Sequence, residues 1–136
     1  MTYAVSAALQ AAVFQSLAAD SELAALVGAA IHDQMPPGPV DGTFVSLGPE
    51  DVRDLSDQTH RGAEHRFSVS VVSDAAGFRD AKSAAGRIAD ILVDAKPVLS
   101  RGRVVSLRFV SARARRVRAG QTRRIDLSFR AIVEDS

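Results

Sequence analysis

The sequence has no cysteine, no tryptophan and a single tyrosine. Without cysteine there is no disulfide framework and no thiolate metal site, which is compatible with a reducing cytosol. With so few aromatics, a core must be assembled from Ala, Val, Leu and a few Phe side chains. A long apolar run is also missing. "AALQAAVF" near the N-terminus is interrupted by glutamine and lacks a charged n-region, so neither a signal peptide nor a bilayer-spanning helix is expected. Catalytic signatures are missing as well: no GxSxG, P-loop or GxGxxG pattern occurs, and His32, His60 and His65 have no metal-ligand spacing. They read as ordinary surface or turn histidines. The adjacent acids Glu50 and Asp51 would point to opposite sides of a strand and could not share a proton. These absences give no support for an enzyme, a metal or a cofactor.

Charge of one sign is missing locally. Between Arg101 and Arg124 there are nine arginines and no acid, while Glu50, Asp51, Asp54 and Asp57 cluster around one Arg53. The formal net charge of +1 therefore hides a strong segregation of sign. Segregated charge steers association, including association with another copy of the same chain.

What is present suggests one domain over 1–136. Val5, Leu9, Val13 and Leu17 recur at helical spacing over 4–19, and Asp20 or Ser21 begins a second short helix, "SELAALVG", that Gly28 ends. The Pro-rich "IHDQMPPGPVDG" reads as a loop. "TFVSL" at 43–47 and "HRFSVSVVS" at 65–73 read as strands, with a polar, irregular arm over 48–63 between them. Asp74 is expected to cap a helix running to about Ala95, with Phe78, Ala81, Ala85, Ile88 and Leu92 inward, Arg79, Lys82, Arg87 and Asp90 in solvent, and Pro97 as the stop. The last third is a hairpin with a turn at Arg118–Gly120, setting Phe109 across from Phe129 in the core. The expected fold is α+β, in the order α-α-β-β-α-β-β. A single antiparallel sheet of about four strands carries helices on one face, with projecting loops and a hairpin tip. The loop at 36–42 and the arm at 48–63 are expected to order only on assembly.

Strict alternation places Arg108, Ala112, Arg116, Arg124, Asp126 and Arg130 on the far face of the hairpin, yet Arg113 and Arg115 on the core side. Arginine on both faces implies a tip that leaves the body. Three roles are open to it: a solvated tip that blunts a sheet edge, a nucleic-acid surface, or a protein contact. Single-strand binders stack bases on aromatics, and none is interleaved here. The pattern favours a protein interface made by Arg113, Arg115, Arg116, Arg118, Arg123 and Arg124 against Glu50, Asp51, Asp54 and Asp57.

Four stretches carry a likeness to a known family: "YAVSAALQAAVFQSLAAD", the Pro loop before "FVSLG", "RGAEHRFSVSVVSDAAGFRDAKSAAGRI" and "RIDLSFRAIVED". Together they span nearly the whole chain. The sequence resembles the tail-terminator, or tail-completion, proteins of long-tailed phages, and among them the version found in the gene transfer agents of alphaproteobacteria. The resemblance implies a hexameric ring that caps the tail tube and docks onto the head–tail connector (stopper or adaptor) proteins. DNA would pass through its lumen without sequence recognition. It implies no catalytic residue, cofactor or membrane, and a location in the bacterial cytoplasm during assembly and then in the particle. A small nucleic-acid-binding module using the arginine hairpin is the alternative.

Overall fold

The computed structural model describes residues 3–32, 42–75, 78–94, 97–117 and 122–135. Helix α1 (Ser6–Ala18) turns Ala8, Leu9, Ala12, Val13 and Leu17 inward, the i, i+3, i+4 pattern read from the sequence. Asp20 then caps α2 (Ser21–Val27), its carboxylate accepting the Leu23 amide at 2.8 Å. Gly28 ends α2 at φ +63°, a left-handed conformation that costs glycine nothing.

The Asp20 carboxylate has a second task. Arg87 of α3 (Arg79–Asp94) donates to both of its oxygens, at 2.9 and 2.7 Å. Arg87 was expected in solvent; it is half-buried, clamping α3 to the corner between α1 and α2. The Arg87 guanidinium, with the Leu23 amide, holds the Asp20 carboxyl at about 2, below its ordinary 3.8. A carboxyl depressed in the folded state stabilises the fold above its ordinary value, and that contribution is lost as pH falls through its folded one. Asp20→Asn, which keeps the cap, is therefore expected to flatten the acid unfolding curve between about pH 4 and pH 2. Circular dichroism across that window checks this. An unchanged slope would mean that the Arg87 clamp adds nothing.

The α3 helix begins four residues later than expected. Asp74 is not its cap, because the Asp74 amide donates to Gly42 O at 3.1 Å and Ser73 Oγ takes the Ala75 amide. The first turn closes instead from Phe78 O to the Lys82 amide at 2.8 Å. Ala81, Ala84, Ala85, Ile88 and Leu92 are buried, as the apolar stripe required. Ala95 lies outside the described residues.

Five strands form one mixed sheet: β1 (Ile31–His32), β2 (Thr43–Asp54), β3 (Gly62–Ser73), β4 (Arg103–Val117) and β5 (Thr122–Glu134), in the order β1-β2-β3-β5-β4. The α+β class holds, but the sheet is neither four-stranded nor wholly antiparallel. Ile31 and His32, at the start of the stretch read as loop, pair parallel with Val45 and Ser46, and Ile31 is buried there. The remaining pairs are antiparallel.

The arm expected over 48–63 is largely strand. A bulge between Leu47 and Glu50 absorbs Gly48 and Pro49, and the ladder resumes from Glu50↔Phe67 to Asp54↔Ala63. A Cβ on Gly48 would sit 3.1 Å from Ser68 Cβ, so a larger residue there would require Ser68 to shift by a few tenths of an ångström. Only 55–61 remains as a connection. Of the loop at 36–42, all but Gly42 lies outside the described residues.

The core joins the inward faces of α1, α2 and α3 to Val45, Val69 and Val71, to Val104 and Leu107, and to the alternate β5 positions Ile125, Leu127, Phe129, Ala131 and Val133. Phe129 is fully buried on β5, stacked on Phe67 (centroids 5.5 Å) and edge-on to Phe109 (6.0 Å). Phe109 pairs with Phe129 as expected, yet it is 45% exposed rather than buried. It stands on the outermost strand, and α3 faces it with Ala85, Gly86 and Ala89, which are too short to cover a phenyl ring.

Candidate protein-interaction site

Two bulges control the arginine hairpin, one between Val104 and Ser106 and one between Phe109 and Ser111. Each puts an extra residue into β4 and inverts the alternation beyond it. Val105 consequently leaves the inward set, and Val104 and Leu107 are the buried residues there. After the second bulge, Ala112 and Ala114 lie opposite Leu127 and Ile125 on the helix side. Arg113 and Arg115 lie opposite Asp126 and Arg124 on the far side. Strict alternation assigned these faces the other way round. Arg116, paired with Arg123, is on the helix side at the tip. The stretch 108–116 is exposed throughout because β4 is the outermost strand. Beside it, β5 is flanked by β3 as far as Arg123, so the described hairpin lies along the sheet and, contrary to expectation, does not project from the body.

Most of the far-face charge is neutralised within the chain. Asp126 accepts Arg124 Nε at 2.9 Å, Ser70 Oγ at 2.6 Å and Arg115 at 3.4 Å. Burial pushes the Asp126 carboxyl up, and the hydrogen bonds from Ser70 and Arg124 more than offset it, leaving it below its ordinary value. Along the same face Glu64, nearly inaccessible, meets Arg66 Nε at 2.7 Å, Arg130 at 3.0 Å and Arg53 at 3.7 Å. Arg66 first, then Arg130, hold its carboxyl at about 2. Asp126 and Glu64 were not among the residues singled out from the sequence. The signal was there for Asp126: in "TRRIDLSFR" it stands two residues from Arg124, hence on the same strand face.

Of the six expected interface arginines, five lie within the described residues. Arg115 and Arg124 are engaged with Asp126. Arg123 lies over the Phe78 ring at 5.9 Å. Arg118 falls outside the described residues. Arg113 and Arg116, together with Arg108, make no ion pair among the described residues.

On the acidic side, the Leu47/Glu50 bulge turns Glu50 towards the helices. There it accepts hydrogen bonds from Tyr3 Oη and from Ser6 Oγ at 2.5 Å, and lies 3.5 Å from His65 Nδ1. Burial raises the Glu50 carboxyl, and the Ser6 and Tyr3 hydroxyls bring it net below its ordinary value. His65 is therefore a fully buried core residue, not a surface or turn histidine; its alternate position with Phe67 and Val69 places it on the inward face. Asp51 stays exposed on the far face, opposite Arg66 in the ladder. Asp54 accepts the Ser56 amide at 3.0 Å. Asp57 accepts the Thr59 and His60 amides at 2.8 and 2.7 Å. The Ser56 side chain and amide keep the Asp54 carboxyl below its ordinary value, and the Thr59 and His60 amides do the same for Asp57; the bonds build a stiff turn, "DLSD", with its charge in solvent.

The unspent arginines and the exposed acids are not brought together. Arg113 lies level, through Asp126 and Ser70, with Ser46 of β2. Asp54 is therefore about 20–25 Å further along the strand direction and three strands, about 14 Å, across. The two patches occupy diagonally opposite corners of one sheet. Among the described residues no group of three His, Cys, Asp or Glu side chains could hold a metal ion, and no helix is long and apolar enough to cross a membrane.

Comparison with known proteins agrees with a scaffold of this kind. The family model described as Tail completion protein gp17 matches residues 11–134. A chain in the solved virion of a native gene transfer agent (GTA) particle is 62% identical, with a TM-score of 0.90, over 98% of this chain and 99% of that one. No curated protein matches.

Proposed function

The chain belongs to the tail completion protein gp17 family, and on that premise we propose that it forms a homo-hexameric ring terminating the tail tube of a gene-transfer-agent particle. Its role is structural, in completing a tail. In this reading the ring meets the tail tube protein on one side and the head connector on the other, and DNA passes through the lumen without sequence recognition. The subunit is made in the bacterial cytoplasm and ends in the neck of the particle, without catalysis and without a membrane.

The observation that carries the ring is the diagonal placement of two unlike patches. A basic corner at Arg113 and Arg116 and an acidic corner at Asp51, Asp54 and Asp57 cannot neutralise one another within a subunit. Unlike patches on one subunit make heterologous contacts, which close into a ring when the rotation permits. The internal pairs at Asp126 and Glu64 narrow the interface to those residues.

The test is direct. Purified protein mixed with tail tubes should give caps on tube ends in electron micrographs, with six-fold class averages. Uncapped tubes and a protein that stays monomeric by light scattering would sink the ring. Tight DNA binding by that monomer, with a steep salt slope, would favour the nucleic-acid module instead.

A further inference from the structure

An open trough runs between α3 and the β4–β5 hairpin. Phe109, Ala112 and Ala114 of β4 form its floor, and Ala85, Gly86 and Ala89 of α3 form its wall. Lys82 lines one end, 5.7 Å from the Phe78 ring, and Arg116 continues the same face of β4 two residues beyond Ala114. The Phe109/Ser111 bulge creates this surface by sending Ala112 and Ala114 to the helix side. The result is a contiguous apolar patch with a basic rim, and such patches mark contact sites.

Among the described residues, the exposed large apolar side chains besides Phe109 are Tyr3, Leu26, Leu55, Val93, Val98 and Val110. Tyr3 is held by its hydrogen bond to Glu50, and Val110 stands on β4 itself, beside Pro49, Asp51 and Ser68. Val98 is 94% exposed, but no carboxylate stands within two residues of it to answer Lys82 and Arg116. Val93 lies on α3 one turn beyond Ala89, beside the wall of the trough itself. Leu26 has Glu22 one turn away, but that acid is engaged by Arg87. Leu55 is 39% exposed and sits inside the stiff "DLSD" turn, with acids on both sides.

We propose that the trough of one subunit receives Leu55 from a second copy of the chain, with Asp54 and Asp57 of the incoming turn meeting Lys82 and Arg116 at its rim. This rests on the ring reading above and specifies its subunit contact. The pairing is heterologous, as a ring requires.

The absence of native cysteine makes the contact testable by cross-linking. Leu55→Cys and Ala112→Cys are combined in one chain, and assembled particles carrying it are oxidised. Within a subunit the two sites are separated by three strands and about 20 Å along the sheet, far beyond the roughly 7 Å reach of a disulfide. Any bond is therefore between subunits. The expected result on a non-reducing denaturing gel is a ladder running past the dimer to the hexamer, while each single variant stops at the dimer. Leu55→Cys with Ala89→Cys, on the trough's opposite wall, should give the same ladder and covers a failure of the β4 variant to fold. Rings seen on tails with no ladder from either pairing would overturn this contact and leave the ring intact. Properly folded protein that forms no ring at all would overturn the ring reading, and the contact with it.

Discussion

Phe129→Ala is expected to lower the unfolding free energy by about 3–5 kcal/mol, the range for removing a fully buried phenyl ring. The ring is inaccessible, stands on a central strand and is flanked by Phe67 and Phe109, so its loss leaves a cavity that β3 and β4 cannot both collapse into. A domain of this size has a total stability of about 5–15 kcal/mol, so the variant should sit close to unfolding. Phe109→Ala is expected to cost only about 1–2 kcal/mol, because nearly half of that side chain is already in water. Urea titration of the two variants beside wild type measures the difference. Equal costs would show that the Phe109 face is covered in the isolated subunit.

Replacing Arg113 and Arg116 together by serine is expected to leave the subunit folded while cutting joined particles by about tenfold or more, with heads and tails accumulating separately. A tenfold weakening corresponds to about 1.4 kcal/mol per contact, and a ring repeats the loss at every interface. Arginine suits such a contact because its planar fork binds carboxylates through two donors. Arg115→Ser should do much less, since that guanidinium is already committed to Asp126. Asp54→Arg should damage joining similarly. Combining it with Arg116→Asp should restore part of the yield, an outcome that simple misfolding cannot produce. Normal joining by the double serine variant, with only DNA binding reduced, would mean that these arginines serve nucleic acid and not protein.

The likeness to tail-completion proteins was visible in four quoted stretches, and the two arginine predictions began as a reading of charge. Placing that charge needed the sheet. A strand's side chains alternate, so a single inserted residue reverses every face beyond it. The Phe109/Ser111 bulge did this to Arg113 and Arg115, and nothing in "FVSARARR" marks the insertion. The Leu47/Glu50 bulge likewise turned Glu50 away from the acidic patch, although there Gly48 and Pro49 did mark an irregularity.

Local, short-range features were determined by the sequence alone. The α1 stripe, the Asp20 cap, the Gly28 stop and the alternation of β3 and β5 all depend on residues within a turn or on a two-residue period, and all stand in the fold. The segregation of charge was equally plain. Tertiary structure decided what depends on residues far apart in the chain: the parallel pairing of Ile31–His32, the burial of His65 beside Glu50, the Arg87 clamp on Asp20, and the pairing of Arg130 with Glu64. An ion pair across more than fifty residues leaves no periodic trace. It exists only once the sheet sets the register, and that register leaves Arg113 and Arg116 without an ion pair among the described residues.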